Sequence, residues 1–123
     1  MEVTEMEARA IMNDHYATLP TVRIAPHILL ALKDVKEAFF LSALMENDYT
    51  KDEGEFFPYP DSRWQEEFGC FSYHEVKRIR ESLIDKGFIE AKRAVWLGGN
   101  ITCIHYKLNV ANIINYSLEE EAN

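Results

Sequence analysis

Residues 61–108 read DSRWQEEFGCFSYHEVKRIRESLIDKGFIEAKRAVWLGGNITCIHYKL, and the predicted fold depends on this stretch. The stretch begins with a short predicted helix. Asp61 or Ser62 can cap this helix, since Gln65 follows Ser62 at capping-box spacing. Gly69 is placed to take the left-handed conformation that ends a helix. A tight turn then leads into a second, longer helix.

The second helix is predicted to start at Ser72, because Glu75 three residues later completes another capping box. Gly87 ends it, so the helix spans residues 72–86. Its buried side is marked by apolar residues at three- and four-residue spacing: Val76, Ile79, Leu83 and Ile84. The opposite side, with Tyr73 at the helix start, is the predicted recognition face: His74, Lys77, Arg78, Glu81 and Asp85.

A two-stranded hairpin is predicted after the second helix. Residues 88–93 form its first strand, and residues 101–108 return with alternating apolar and polar side chains. Between them, residues 97–100 read LGGN, and Gly98 and Gly99 suit a tip that needs positive φ.

Upstream, Thr21 to Ala25 also alternates, which predicts a third strand in the same sheet. Residues 34–46, with the capping pair Asp34 and Glu37, form the predicted central core helix. The aromatic side chains of Phe56, Phe57 and Tyr59 are expected to form a lid over that core, with a contact surface as the alternative. The order helix, turn, helix and hairpin indicates an α+β fold. We expect a mainly helical winged helix-turn-helix whose small antiparallel sheet combines the wing hairpin with one N-terminal strand.

The sequence resembles a known family at two places. Winged helix-turn-helix domains commonly end the recognition helix as Leu83 to Glu90 does, with a leucine, polar residues, a glycine and an apolar pair. Upstream, His15 to Pro20, Val22 and the run Ala38 to Leu41 resemble the amino-terminal domain of phage and plasmid replication initiators, or replisome organisers. The resemblance covers about Tyr16 to Asn109 and implies DNA binding in replication initiation or regulation.

Three segments organise the 123 residues. Residues 1–15 form an acidic N-terminal arm or short helix, residues 16–109 the winged helix-turn-helix domain, and residues 110–123 a C-terminal helix with an acidic tail. The two terminal segments carry apolar residues that a partner subunit or the body of the domain can cover, and both alternatives remain open.

The net charge of −8 argues against strong DNA binding, because duplex affinity comes largely from neutralising phosphates. The acidity is unevenly placed, however. Residues 61–109 hold eight Lys or Arg against seven Asp or Glu, while the remainder holds five against fourteen. Residues 61–109, which contain the two helices and the hairpin, therefore have a net charge of +1, which predicts a modest affinity for DNA.

Nine residues are the candidates for DNA contact: Arg63, Ser72, Tyr73, His74, Lys77, Arg78, Lys92, Arg93 and Trp96. The helix 72–86 is expected in the major groove, where Arg78 can grip guanine and Lys77 a phosphate or guanine. Ser72 with the amides at the helix start, and Arg63, can hold phosphates. The wing, residues 92–100, adds Lys92, Arg93 and Trp96, although Trp96 can instead fold back onto the hairpin.

Enzymatic chemistry is not expected from this sequence. The four histidines are scattered, no paired-cysteine or His-Glu-x-x-His spacing occurs, and no serine lies in a nucleophile elbow. We expect no cofactor and no metal ion. Cys70 and Cys103 are predicted to be reduced and partly buried, with a bridge between them as the minor alternative.

The competing hypothesis is an interaction module, since a winged helix also serves as a protein-binding or dimerisation surface without touching DNA. The expected partners are thus double-stranded DNA, a second copy bound through the terminal segments, and a replication or regulatory protein. No apolar run is long enough to span a membrane and no leader is evident, so the expected location is the cytoplasm.

Overall fold

Six helices and three strands are seen in the computed structural model, which describes residues 2–18, 22–50, 53–98 and 100–122. The helices are α1 (Glu5–Thr18), α2 (Pro26–Leu32), α3 (Val35–Asn47), α4 (Asp61–Arg63, continued by a π-helical turn over Trp64–Phe68), α5 (Tyr73–Asp85) and α6 (Val110–Ala122). The strands are β1 (Phe57–Pro58), β2 (Ile89–Trp96) and β3 (Ile101–Leu108).

The sheet is antiparallel, in the order β1-β3-β2. In the wing hairpin Ile89 pairs with Leu108 and Trp96 with Ile101, so the two long strands match along their whole length. β1 adds to the other edge of β3, where Phe57 pairs with Tyr106. The predicted α+β fold with a small antiparallel sheet is confirmed, and the order α3, β1, α4, α5, β2, β3 is winged-helix-like.

The prediction of an N-terminal third strand is wrong for residues 22–25, which form no strand, while Thr21 lies outside the described residues. The amide of Arg23 instead donates to the Glu46 carboxylate at 2.7 Å. β1 supplies the third strand because the buried Phe57 ring packs against Tyr106, with centroids 6.4 Å apart. Pro58, which lacks an N–H, is tolerated there because β1 is an edge strand.

The core is built around α3, as the sequence predicts. Leu41 and Leu44 are fully buried, and the Phe40 ring stacks on Trp64 of α4 with centroids 3.9 Å apart. The aromatic segment before α4 belongs to the same core, since Phe57 and Tyr59 are also fully buried. Stacked and edge-on rings thus join α3 to α4 and to the sheet.

The predicted helix signals hold at α5 and fail in part at α4. Gly69 and Gly87 take φ values of 68° and 77° and end the two helices as expected. The residue before α4 is Pro60, however, and no side-chain cap forms there. Asp61 and Ser62, the predicted caps, lie inside the helix, and the Asp61 carboxylate instead forms an ion pair with Arg80 of α5.

The chain ends are both helical. α1 runs for 14 residues, and its Met6 side chain is 82% exposed. α6 includes the glutamates that the sequence assigns to an acidic tail, and its Ile113 is buried in the core. None of the helices in the described part of the chain is long and apolar enough to cross a membrane.

Candidate nucleic-acid interface

α5 is fixed on its inner side and at its start. Val76, Ile79 and Leu83 are buried in the core, as their spacing predicts, whereas Ile84 is 40% exposed, contrary to the prediction that it joins the buried side. At the amino end, the Ser72 hydroxyl accepts from the Glu75 amide and the Glu75 carboxylate accepts from the Ser72 amide, each at 3.1 Å. The predicted capping box is therefore confirmed, and it holds the first turn of α5 in place.

Three ion pairs tie α5 to the start of α3: Lys36 with Glu75, Lys86 with Glu37 at 3.2 Å, and Arg78 with Asp34 at 3.9 Å. The hydrogen bond from Lys36 lowers the pKa of the Glu75 carboxyl below its ordinary value, assisted by the Ser72 amide. The Arg78 pair is the longest of the three, and its guanidinium stays half exposed.

Arg80 forms a further tie that the sequence does not reveal. Its side chain is only 14% exposed and its guanidinium donates to Asp61 at 2.7 Å and to the Tyr106 hydroxyl at 3.0 Å. Burial opposes the charge of Arg80, but these two partners raise its pKa above the ordinary arginine value. Burial also raises the pKa of Tyr106, to about 12, so the hydroxyl stays protonated. Arg80 thus joins α5, α4 and β3.

The outer side of α5 is open to solvent at its first turns. Tyr73 is 61% exposed, and its ring lies edge-on to His74 with centroids 5.9 Å apart. His74 and Lys77 are exposed as well, and no described residue pairs with the Lys77 amine. Glu81 lies one turn beyond Lys77 on the same side. The structure therefore brings Tyr73, His74, Lys77 and Arg78 together on one exposed surface, which we call the α5 face.

Ser72 and Arg63, the predicted phosphate contacts, are less available to a ligand than the residues of the α5 face. The Ser72 amide is already bonded to Glu75 in the capping box. The Arg63 guanidinium donates to Glu67 at 2.7 Å and lies 4.3 Å from the centre of the Tyr59 ring. Both residues thus act within the protein, and Arg63 packs α4 onto the core segment before it.

The two basic residues of the wing point to opposite faces of the sheet, because side chains alternate along a strand. Lys92 pairs with His105 and places its amine 4.2 Å from the Phe56 ring, on the face away from the core. Arg93 pairs with Ile104 on the other face, where it lines a shallow cleft with Asp61 and other residues at the start of α4. The structure does not bring Lys92 and Arg93 together.

The wing tip differs from the expected glycine turn. Asn100 takes the positive φ, at 51°, whereas Gly98 has no positive φ and Gly99 lies outside the described residues. A Cβ on Gly98 would come within 2.9 Å of the Trp96 indole nitrogen. Trp96 is therefore folded back over Gly98, the alternative that the sequence left open. The lack of a side chain at Gly98 makes room for the indole.

The cysteines are both free, as expected, but only one is buried. Cys103 lies in β3 and burial raises the pKa of its thiol, whereas Cys70 is exposed in the turn between α4 and α5, contrary to the prediction of partial burial. Among the described residues, no group of three or more His, Cys, Asp or Glu side chains could hold a metal ion.

Comparison with protein-family models found no match to this chain. Comparison with curated proteins found none either, and no solved structure matches. The resemblance to replication-initiator domains thus stays a prediction from the sequence.

Proposed function

We propose that this protein binds double-stranded DNA by placing the α5 face in the major groove. One observation carries the proposal: the first turns of α5 expose Tyr73, His74 and Lys77 while the opposite side of the same helix is fixed in the core. A rigid helix that presents aromatic and basic side chains from its amino-terminal half suits base-edge contact in a groove about 12 Å wide.

Arg78 is the residue we assign to direct base reading. A guanidinium can donate two parallel hydrogen bonds to the O6 and N7 atoms of guanine. Its present partner, Asp34, lies 3.9 Å away, and the Arg78 side chain is 53% exposed. Such a pair is weak in water, so a guanine can replace the carboxylate at small cost. Lys77 then takes a phosphate beside it.

Glu81 and Asp85 limit the affinity, because their carboxylates lie on the exposed side of the same helix and repel phosphates. We infer binding that is modest and steeply dependent on salt. The biological role follows from the resemblance: replication initiation or regulation of the phage or plasmid type.

The test is fluorescence anisotropy of a labelled mixed-sequence duplex, titrated at a low and a moderate salt concentration. The double variant Lys77→Ala/Arg78→Ala is expected to lose most of the binding and to flatten the salt dependence. The matched control Arg9→Ala/Lys107→Ala removes the same charge from α1 and β3 and is expected to keep most of the affinity. Equal losses in the two double variants would contradict a DNA surface on α5.

A second candidate is favoured by α1. Its apolar side chains are exposed, with Met6 82%, Ile11 50% and Met12 50% accessible. We propose as the alternative function that this helix joins a second copy or a replication or regulatory protein, without DNA contact. Sedimentation velocity over a range of protein concentrations tests the homodimer, and Met6→Lys is then expected to shift the protein to the monomer. A monomer at all concentrations contradicts the homodimer.

A further inference from the structure

A cavity of about 460 Å³ lies away from the α5 face, between the segment leading into α2, the carboxyl-terminal half of α3 and the junction of β3 with α6. Its volume falls within the range of about 300–1,000 Å³ that is typical of small-molecule sites. Ile28, Met45 and Leu108 supply apolar wall, and Ser42 and Asp48 are the buried polar residues of the lining.

Ser42 is 3% exposed, and its hydroxyl has no hydrogen-bond partner among the described residues. A serine within a helix commonly donates to the carbonyl four residues earlier, but no such bond is present at Ser42. A buried hydroxyl without a partner destabilises the folded protein. The cavity wall thus contains a polar group that the described chain leaves unsatisfied.

Asp48 brings a negative charge to the same wall. The residue is 6% exposed, and one carboxylate oxygen accepts from the Thr50 amide at 2.7 Å and from the Thr50 hydroxyl at 2.6 Å. No described cation forms an ion pair with it. Asp48 also caps the carboxyl end of α3, where the helix dipole is negative.

Two further charges lie in the lining. Glu46 and Arg23 both line the cavity, and the Glu46 carboxylate accepts a hydrogen bond from the backbone amide of Arg23. This hydrogen bond does not involve the Arg23 guanidinium. The lining thus contains two carboxylates, of which that of Glu46 is exposed to solvent, together with the carboxyl end of α3 and one guanidinium. The electrostatic balance favours a ligand with a positive charge.

We propose that this cavity binds a small organic cation, a primary ammonium group carried on a short apolar body. The ammonium donates to the Asp48 carboxylate and the Ser42 hydroxyl, and the apolar body fills the space beside Ile28, Met45 and Leu108. This site is independent of DNA binding, because none of its residues belongs to α5 or the wing tip.

The experiment is an NMR titration of the ¹⁵N-labelled full chain with 2-phenylethylammonium, compared with uncharged 2-phenylethanol. We expect saturable shifts at the amides of Ile28, Ser42 and Met45, and an affinity for the alcohol at least about tenfold lower. Equal affinity for the two probes overturns the cation selectivity. No saturable shift at these amides, or shifts centred on the glutamates of α6, overturns the site itself.

Two single variants test the roles of Asp48 and Ser42 separately. Asp48→Asn keeps the oxygen that accepts from Thr50 and is expected to weaken the ammonium probe about tenfold. The matched control Asp85→Asn removes one charge from α5 and is expected to leave the affinity unchanged. If Asp48→Asn does not fold, the comparison of the two probes on the unaltered protein still tests whether the cavity prefers a cation.

The variant Ser42→Ala distinguishes a serine that binds the ligand from a serine that only stabilises the fold. It removes an unsatisfied hydroxyl, so the ligand-free protein is expected to keep or raise its Tm, while the affinity for the ammonium probe falls. A lower Tm together with unchanged affinity would show that the hydroxyl serves the fold and would remove Ser42 from the site.

Discussion

Arg80 of α5 and Asp61 at the start of α4 form an ion pair with nitrogen and oxygen 2.7 Å apart, and the same guanidinium donates to Tyr106 of β3. One side chain thus fixes both helices of the helix-turn-helix unit against the sheet. The α5 face keeps its orientation because the buried apolar stripe holds the opposite side of the helix and the Arg80 tie holds the boundary between the two sides.

Replacing Arg80 tests the tie. Arg80→Met removes both bonds and leaves the Asp61 carboxylate without its cation, so the free energy of unfolding is expected to fall by about 2–3 kcal/mol. Urea unfolding followed by circular dichroism measures the change. Arg78→Met is the control, since its pair is long and half exposed, and a loss within about 0.5 kcal/mol is expected. Equal losses would contradict the special position of Arg80.

Glu75 gives the stability a defined pH dependence. Its pKa is lowered in the folded protein from an ordinary 4.5, first by the hydrogen bond from Lys36 and then by the Ser72 amide. A group with a depressed folded-state pKa stabilises the protein fully above its unfolded pKa, and loses that effect as the pH falls through the folded-state pKa.

The unaltered protein is therefore expected to be more stable than Glu75→Gln at neutral pH, with the difference shrinking as the pH falls below about 4. Urea unfolding at a series of pH values measures it. Glu81→Gln, which changes a glutamate on the open side of the same helix, is expected to show no comparable trend. A difference for Glu75→Gln that stays constant with pH would show that its carboxylate charge is not involved.

Gly98 keeps Trp96 folded back on the wing. In Gly98→Ala the new Cβ would lie 2.9 Å from the indole nitrogen, so the indole is expected to swing out into solvent. Tryptophan fluorescence should shift to longer wavelength and be quenched more readily by acrylamide, while Trp64 stays buried and constant. Leu97→Ala, at a neighbouring exposed position, serves as the control. An unchanged spectrum for Gly98→Ala would contradict the folded-back indole.

The helix pair and hairpin could be predicted because their signals are local. The capping pair Ser72 and Glu75 indicates where α5 begins, and Gly69 and Gly87 indicate where α4 and α5 end. The apolar spacing indicates which side of α5 is buried. These signals depend on residues a few positions apart in sequence. Such residues lie in the same helical turn regardless of the rest of the fold.

The third strand and the Arg80 tie could not be predicted, because both depend on residues far apart in sequence. β1 is only two residues long and contains a proline, so it has no alternation to detect, whereas residues 22–25 alternate in sequence but form no strand. Arg80 lies between the buried and exposed sides of α5. Nothing local indicates that Asp61 and Tyr106 will meet it. The engagement of Arg63 is different, because its partners Glu67 and Tyr59 each lie only four residues away, and the sequence prediction of a phosphate contact did not take this local pairing into account.

The most direct test of the DNA-binding proposal is the affinity of Glu81→Gln for a labelled duplex, measured by anisotropy beside the unaltered protein and Glu90→Gln. Both variants remove one negative charge, but only Glu81 lies beside the α5 face, one turn beyond Lys77, while Glu90 lies on β2. We expect Glu81→Gln to bind the duplex about threefold more tightly than the unaltered protein at low salt, and Glu90→Gln to change the affinity little. The same change in both variants, or none in either, would contradict contact between the α5 face and DNA.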